Sequence, residues 1–372
     1  MATNSSCSSF FPADFTHLRV HSNFTLMGAT ASVDDLVSRA SAEGFTSLAL
    51  TDTNALYGAV AFSKACDKAG VQPILGMTIT LAEPADGFPG PPATRGRLVL
   101  LATGLDGYRS LCRLSALILG DPQREPSIGQ RLQWDELRSH RQGLICMEGG
   151  REGWIEHYLH AGNMEAANDH IARLVDIYGE NCYLSLEIHQ AEDQAIAQEI
   201  MVLGQRFGLP SVAVQPVYLL EPQDRATLRL LAAIHHNVTL DQLPTTAVPG
   251  GDDPTVDLHW LSKEEMADRF ATFPTALTQV GEVVRRCEPA LPDGRPLWPT
   301  IDIPGDQSPD EELASQAWSG LTDKFGLEVD DSIRERLQRE LDAIAQRDYA
   351  PLFLVVADIV RYARDSEIPV NT

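Results

Sequence analysis

A chain of 372 residues has room for one large α/β domain and a smaller helical piece. Its 44% hydrophobic and 22% charged residues imply an ordinary globular core, and no apolar run approaches the ~20 residues of a membrane-spanning helix. A net charge of −23 weighs against nucleic-acid binding by the chain alone, because a polyanion is repelled unless a local basic patch exists.

The N-terminus, MATNSSCSSFFPADF, has neither a basic nor an apolar signal region, so the cytoplasm is the default location. Residues 1–12 are expected to form a disordered tail. From residue 15 to about residue 234, short apolar runs alternate with helical patterns. The runs are 48–52 (LALTD), 71–81 (VQPILGMTITL), 97–103 (RLVLLAT), 143–148 (GLICME), 183–188 (YLSLEI) and 210–215 (PSVAVQ). Between the first of these and the N-terminus, SVDDLVSRASAEG predicts a helix with Ser32 and Asp35 as a capping box and Gly44 beyond its end. Such alternation predicts βα units, a parallel sheet buried on both faces and, with six or seven units, a barrel.

Residues 237–258, rich in Pro, Gly, Thr and Asp, predict a long linker loop. Beyond it, residues 259–372 predict a mainly helical region whose first helix opens on a capping box of Ser262 and Glu265. A second Pro/Gly-rich stretch precedes the helix around SIRERLQRELDAIAQ. The closing segment, PLFLVVADIVRYA, has so apolar a face that it is expected to pack beneath further structure, as part of a longer protein. The six cysteines are scattered without CxxC spacing and predict reduced, mostly buried thiols.

Several stretches carry a family resemblance. LRVHSNFTLMGA (18–29), LALTDTNALYGAVAF (48–62), AGVQPILGM (69–77) and LVLLATGLDGYRSLCRL (98–114) resemble the N-terminal PHP domain of bacterial DNA polymerase III alpha subunits, in order and spacing. HWLSKEEMADRF (259–270) and residues 335–370 resemble that family's stretch entering the polymerase palm. The resemblance implies a distorted (β/α)7-type barrel over 13–236, with helices after it leading into an incomplete palm.

PHP phosphoesterases hold two or three metal ions on His, Asp and Glu ligands, because activating a water and clamping phosphate oxygens takes many ligands at once. At the positions the resemblance implies, most of those ligands are missing. The opening His-x-His reads Arg19-Val20-His21, and no acid stands at Met27-Gly28. Thr-Asp-His reads Thr51-Asp52-Thr53. A Glu position holds Thr78, a His position holds Arg97, and the late Asp and His are Pro216 and Tyr218. His21 and Asp52 are the vestiges, too few for a metal cluster, and Arg19 repels a cation.

Other polar groups read as ordinary surface or structural features. Glu187 and His189 stand at a strand end, His157 and His160 share a helical face, His235 and His236 suit a helix C-terminus, and Asp252-Asp253 lies in a Gly/Pro loop. No GxSxG, P-loop or GxGxxG pattern appears. Polymerase chemistry would need Mg²⁺ on paired Asp residues, which the resemblance locates beyond residue 372.

The expectation is therefore a replication-related, non-catalytic structural or docking domain, without catalytic residues of its own. Its partners would be the remainder of the polymerase chain, a proofreading exonuclease subunit and other replisome proteins. A stand-alone metal-dependent PHP phosphoesterase is the competing reading, disfavoured by the lost ligands.

Overall fold

The computed structural model describes residues 15–82, 96–120, 131–148, 150–292, 294, 298–303, 305, 307–326 and 328–370. The tail expected over 1–12, and Cys7 within it, lie outside them. Two compact units divide at Pro292.

In the first unit the order is β1 (Arg19–Val20), α1 (Val33–Ala42), β2 (Ser47–Leu50), α2 (Ala59–Ala69), β3 (Gln72–Thr80), β4 (Arg97–Ala102), α3 (Leu105–Leu119), α4 (Trp134–Ser139), β5 (Leu144–Glu148), α5 (Trp154–His160), α6 (Met164–Tyr178), β6 (Cys182–Leu186), α7 (Asp193–Phe207), β7 (Ser211–Ala213) and β8 (Pro216–Val217). The local rules read from the sequence operate here. The Ser32 side chain accepts from the Asp35 amide at the start of α1, and Gly44 takes the left-handed φ of +68° just past its end.

Strands β2 to β7 form one six-stranded sheet in sequence order. β1 and β8 form a second, parallel ladder in which Arg19 faces Pro216 and Val20 faces Val217. The Thr51 N–H, just past β2, donates to the Val20 carbonyl at 2.8 Å. Only residues 214 and 215 separate β7 from β8. The sheet therefore curls back on itself through the short ladder, as a distorted α/β barrel. Every residue from Leu98 to Ala102 is buried, as expected for strands covered on both faces.

One expectation about the sheet fails. β4 runs antiparallel to both β3 and β5, while the other sheet neighbours pair parallel. Alternating strands and helices signal burial on both faces, not the direction in which each strand is threaded. Gly76 permits the close β3–β4 approach, since a Cβ there would lie 2.6 Å from the Leu100 carbonyl oxygen.

The stretch 237–258, expected as a linker loop, packs on the barrel. After α8 (Arg225–His236), Asn237 adopts a left-handed φ of 52° and turns the chain. Val248, Val256 and Leu258 then bury against Tyr218, Leu219, Leu228 and Ala232. α9 (Lys263–Arg269) starts on the expected box of Ser262 and Glu265, and α10 (Pro274–Arg286) buries Val280, Val283 and Val284 in the main core. The helical region expected over 259–372 is thus split: its first part belongs to the barrel unit. The reason is a run of buried apolar anchors, Trp260, Leu261, Met266, Phe270 and Phe273, that join the main core.

The second unit carries α11 (Pro309–Phe325), α12 (Asp331–Ala345) and α13 (Ala350–Asp365). Ser308 and Glu311 form a capping box on α11, and Arg361 donates to Gln316 at 3.1 Å. Along α13, Leu352, Val356, Ile359 and Tyr362 stay exposed. Among the described residues no helix is long and apolar enough to cross a membrane.

Candidate functional site

Arg19 in β1, Glu148 at the end of β5, and Glu152, Glu187 and Tyr218 just past strands come together at one end of the barrel, the end where α/β sheets usually place ligands. Arg19 is the largest fully buried side chain among the described residues, at 1% exposure. Its Nη2 pairs with Glu152 and also donates to the Tyr218 hydroxyl at 3.2 Å, while Nη1 lies 3.5 Å from Glu187. Burial opposes the Arg19 charge, but Tyr218, Glu152 and Glu187 outweigh burial and hold the guanidinium firmly protonated.

Glu187 answers with its own partners. Burial would raise its carboxyl, but the His189 hydrogen bond and the Arg19 charge keep it below the usual range. The Asp257 amide donates to His189 Nδ1 at 3.1 Å, so Nε2 carries the hydrogen and donates to Glu187 at 2.8 Å. The pair expected at a strand end is therefore a bridge from the barrel to the segment after it.

His21 and Asp52 are brought to the same end and linked through Thr25. Asp52 accepts from the Ser22 amide at 2.7 Å, the Ser22 hydroxyl at 2.8 Å and the Thr25 hydroxyl at 2.7 Å. Burial lifts its carboxyl to about 6 against the pull of those bonds. Because the Thr25 hydroxyl donates to Asp52, His21 Nδ1 donates to Thr25 at 3.2 Å, leaving Nε2 buried without a partner among the described residues. The His21 ring stacks on Tyr218, centroids 4.0 Å apart and planes within 6°. Burial, then the charges of Arg19 and Arg97, keep His21 neutral.

At the remaining ligand positions, Thr53 hydrogen-bonds through its amide to Thr25 at 3.1 Å and bridges to Thr78, and Pro216 serves the β1–β8 ladder. No group of three His, Cys, Asp or Glu side chains among the described residues is arranged to hold a metal ion.

Two carboxylates here escaped the sequence reading. Glu152 neutralises Arg19. Glu148, fully buried, accepts from the Gly150 and Ile155 amides at 3.2 Å each. Burial drives its carboxyl up to about 8, with help from Glu156. Gly153 makes room for it, since a Cβ at that position would collide with the Glu148 carboxylate. An acid closing the strand run GLICME, with Gly150 and Gly153 close behind, is the signal that could have found this pocket.

The other singled-out groups have local roles. His160 lies 3.6 Å from Glu156 on α5, and His157 packs its ring near Trp154. Asp252, read as a solubility feature, pairs with Arg229 at 2.9 Å, and Asp253 caps Thr255. The cysteines 66, 112, 146, 182 and 287 are free thiols.

A cavity of about 650 Å³ opens beside the Arg19 cluster. Arg97, Arg131, Glu152, Tyr218, His235 and His236 line it.

The PHP domain family matches residues 17–190, and the family described as bacterial DNA polymerase III alpha NTPase domain matches residues 311–372. DNA polymerase III subunit alpha of Bacillus subtilis is 32% identical over 355 residues, 95% of this chain and 30% of that protein. The error-prone DNA polymerase of Symbiobacterium thermophilum is 31% identical over 369 residues, 95% of this chain and 32% of its own length. The chain thus spans about a third of the length of these relatives. Among solved structures, a two-domain protein from Bacteroides vulgatus containing a PHP-like metal-dependent phosphoesterase gives a TM-score of 0.34 at 12% identity, over 53% of this chain and 50% of its own.

Proposed function

From the premise that this chain carries a PHP domain joined to the opening of a bacterial DNA polymerase III alpha segment, we propose that its barrel is a non-catalytic scaffold within a replicative polymerase. One observation carries the reading: a fully buried Arg19, paired with Glu152 and Glu187, fills the ligand end of the barrel with a fixed organic cation. Three ligand types that a metal cluster needs are absent from their positions, and the two vestiges are already committed. Asp52 spends both oxygens on Ser22 and Thr25, and His21 is stacked on Tyr218. An internal cation compensated by two carboxylates holds the same loops together without turnover chemistry.

The partners in this reading are the rest of a polymerase chain and, at the barrel surface, a proofreading exonuclease subunit in the cytoplasm. The exposed apolar side chains of α13 support the first of these, as such a face is suited to burial by further polymerase structure. DNA synthesis, with its Mg²⁺, belongs in this reading to the polymerase core.

The test combines metal analysis with a generic phosphate-ester assay on the wild-type chain and on the double variant R19H/T53H. Both proteins are expected to carry substoichiometric metal and to show no turnover, because the Glu, Asp and His at positions 78, 216 and 218 are still missing in the double variant. Stoichiometric zinc or manganese accompanied by hydrolysis in either protein sinks the proposal.

A further inference from the structure

Cys146 in β5 and Cys182 in β6 are direct Cα partners in the parallel ladder that joins these strands. Ladder partners direct their side chains to the same face of a sheet. Here the two thiols meet, with Cys146 hydrogen-bonded to Cys182, and neither residue has exposed surface. Neighbouring strands lie about 4.8 Å apart, inside the span of about 4.4–6.8 Å over which a disulfide joins two Cα atoms. The backbone therefore already holds the pair where a sulfur–sulfur bond can form. No other two described cysteines are placed in this way, since Cys66 and Cys112 lie in α2 and α3 and Cys287 follows α10.

A third group stands beside the pair. Tyr178, at the end of α6, is 5% exposed and close enough to both thiols to feel their charge. Its hydroxyl has no hydrogen-bond partner among the described residues, which is a costly state for a buried donor. Such a spare donor next to two sulfurs suits a sulfur that carries negative charge. At rest the pair is quiet. Burial, then the hydrogen bond to Cys182, holds the Cys146 thiol well above the ordinary thiol range, so reaction requires the strands to open locally.

From the register of Cys146 on Cys182 and the spare hydroxyl beside them, we propose that the two thiols are a latent redox staple of the barrel. A peroxide reaching them through local opening of β5 and β6 converts them to a disulfide that locks the two strands together. First a thiolate attacks one peroxide oxygen, the O–O bond breaks, and the departing hydroxide takes up the proton the thiol lost, leaving a sulfenic acid and water. The second thiol then attacks that sulfur, the S–O bond breaks, and a second water leaves with its proton. Two thiols give up two electrons and two hydrogens, and one hydrogen peroxide becomes two waters. The staple acts on the Arg19 cluster, because β5 ends on Glu148 and β6 leads into Glu187.

The test treats the whole chain with hydrogen peroxide, in buffer and in urea well below the unfolding midpoint, then blocks the remaining thiols and maps the digested peptides by mass. The expected product is one linked pair carrying Cys146 and Cys182, lighter by two hydrogens than the free peptides and separated by dithiothreitol. It should form several times faster in the dilute urea, because opening limits access. The oxidised chain should melt several degrees above the reduced chain and exchange the β5 and β6 amides more slowly. Cys182→Ala should lose that gain, and Cys146→Ser replaces it if the alanine variant does not fold.

Four results overturn the proposal. Either cysteine may be found linked elsewhere or oxidised singly to sulfinic acid, or the disulfide form may melt below the reduced one. An equal gain in melting temperature in the variant, or no linked pair at a urea concentration where the β5 and β6 amides exchange, is equally decisive.

Discussion

Position 19 shows how residue type decides the physics of a site. A histidine ligand there would lend a lone pair to a metal; the arginine brings the positive charge itself and needs only acids around it. Glu152 and Glu187 supply them, and Tyr218, standing at another ligand position, adds a hydroxyl at 3.2 Å. Replacing Arg19 by Met is expected to leave Glu152 and Glu187 without the cation between them. Removing one partner of a buried pair typically costs about 3–5 kcal/mol, so R19M should lower the urea midpoint sharply without changing the surface. A midpoint unchanged from wild type would mean the two glutamates are not held by Arg19. The residues at positions 19, 53, 78, 97, 216 and 218 were legible in the sequence, where the family resemblance implies metal ligands. The acids that answer Arg19 were not, because Glu152 and Glu187 lie 133 and 168 residues along the chain and only the barrel closure brings them together.

At the scale of elements, the junction after the barrel is the part of the fold that composition describes worst. Pro, Gly and Asp in residues 237–258 suggest a solvated connection, yet three apolar residues in it close a small core of their own. Trp260 then anchors the next two helices. It is 3% exposed, its ring meets His17 at 4.6 Å and Phe45 at 5.2 Å, and its Nε1 donates to Glu43 at 2.9 Å. His17 in turn hydrogen-bonds to the Leu261 carbonyl at 2.7 Å. These contacts tie the segment leading into α9 to His17 and to the end of α1. Trp260→Ala should cost about 3–5 kcal/mol, as large aromatic deletions in cores do, and should lower amide protection in α9 as well as overall stability. Loss of protection restricted to residue 260 and its immediate neighbours would show that the tryptophan does not anchor the helix. The capping boxes and strand runs were readable because they are local. The burial of a polar-looking loop was not, because its partners are Tyr218 and α8.

For the molecule as a whole, buried titratable groups set a window of pH. Burial raises Glu148 from 4.5 in the unfolded chain to about 8, so its contribution is fully present below pH 4.5 and is lost as pH rises through about 8. Burial lowers His17 from 6.5 to about 4, with the opposite sign: its contribution is present above pH 6.5 and is lost as pH falls through about 4. Between pH 4.5 and 6.5 the two slopes oppose each other, and above pH 6.5 only the Glu148 loss remains, so stability should decline on the alkaline side up to about pH 8. Glu148→Gln keeps an acceptor for the Gly150 and Ile155 amides and removes the ionisation, so it should abolish much of the alkaline decline. At pH 9 the variant should exceed wild type by a few kcal/mol, and below pH 4.5 the difference should vanish. Parallel stability curves for the two proteins from pH 4 to pH 9 would refute the role given to Glu148.

The amino-acid sequence by itself determined the local grammar of this protein: which segments are strands and helices, where the helices are capped, and that the α/β alternation closes into a barrel. Those properties arise from hydrophobic period, turn chemistry and residue identity, all encoded within short windows. Only the tertiary structure decided the antiparallel course of β4, the joining of residues 237–292 to the barrel, and the pairing of Arg19 with Glu152 and Glu187 while Arg97 has no counter-charge among the described residues. Direction, burial of loops and compensation of charge depend on residues far apart in sequence, and the closed fold alone settles which of them meet.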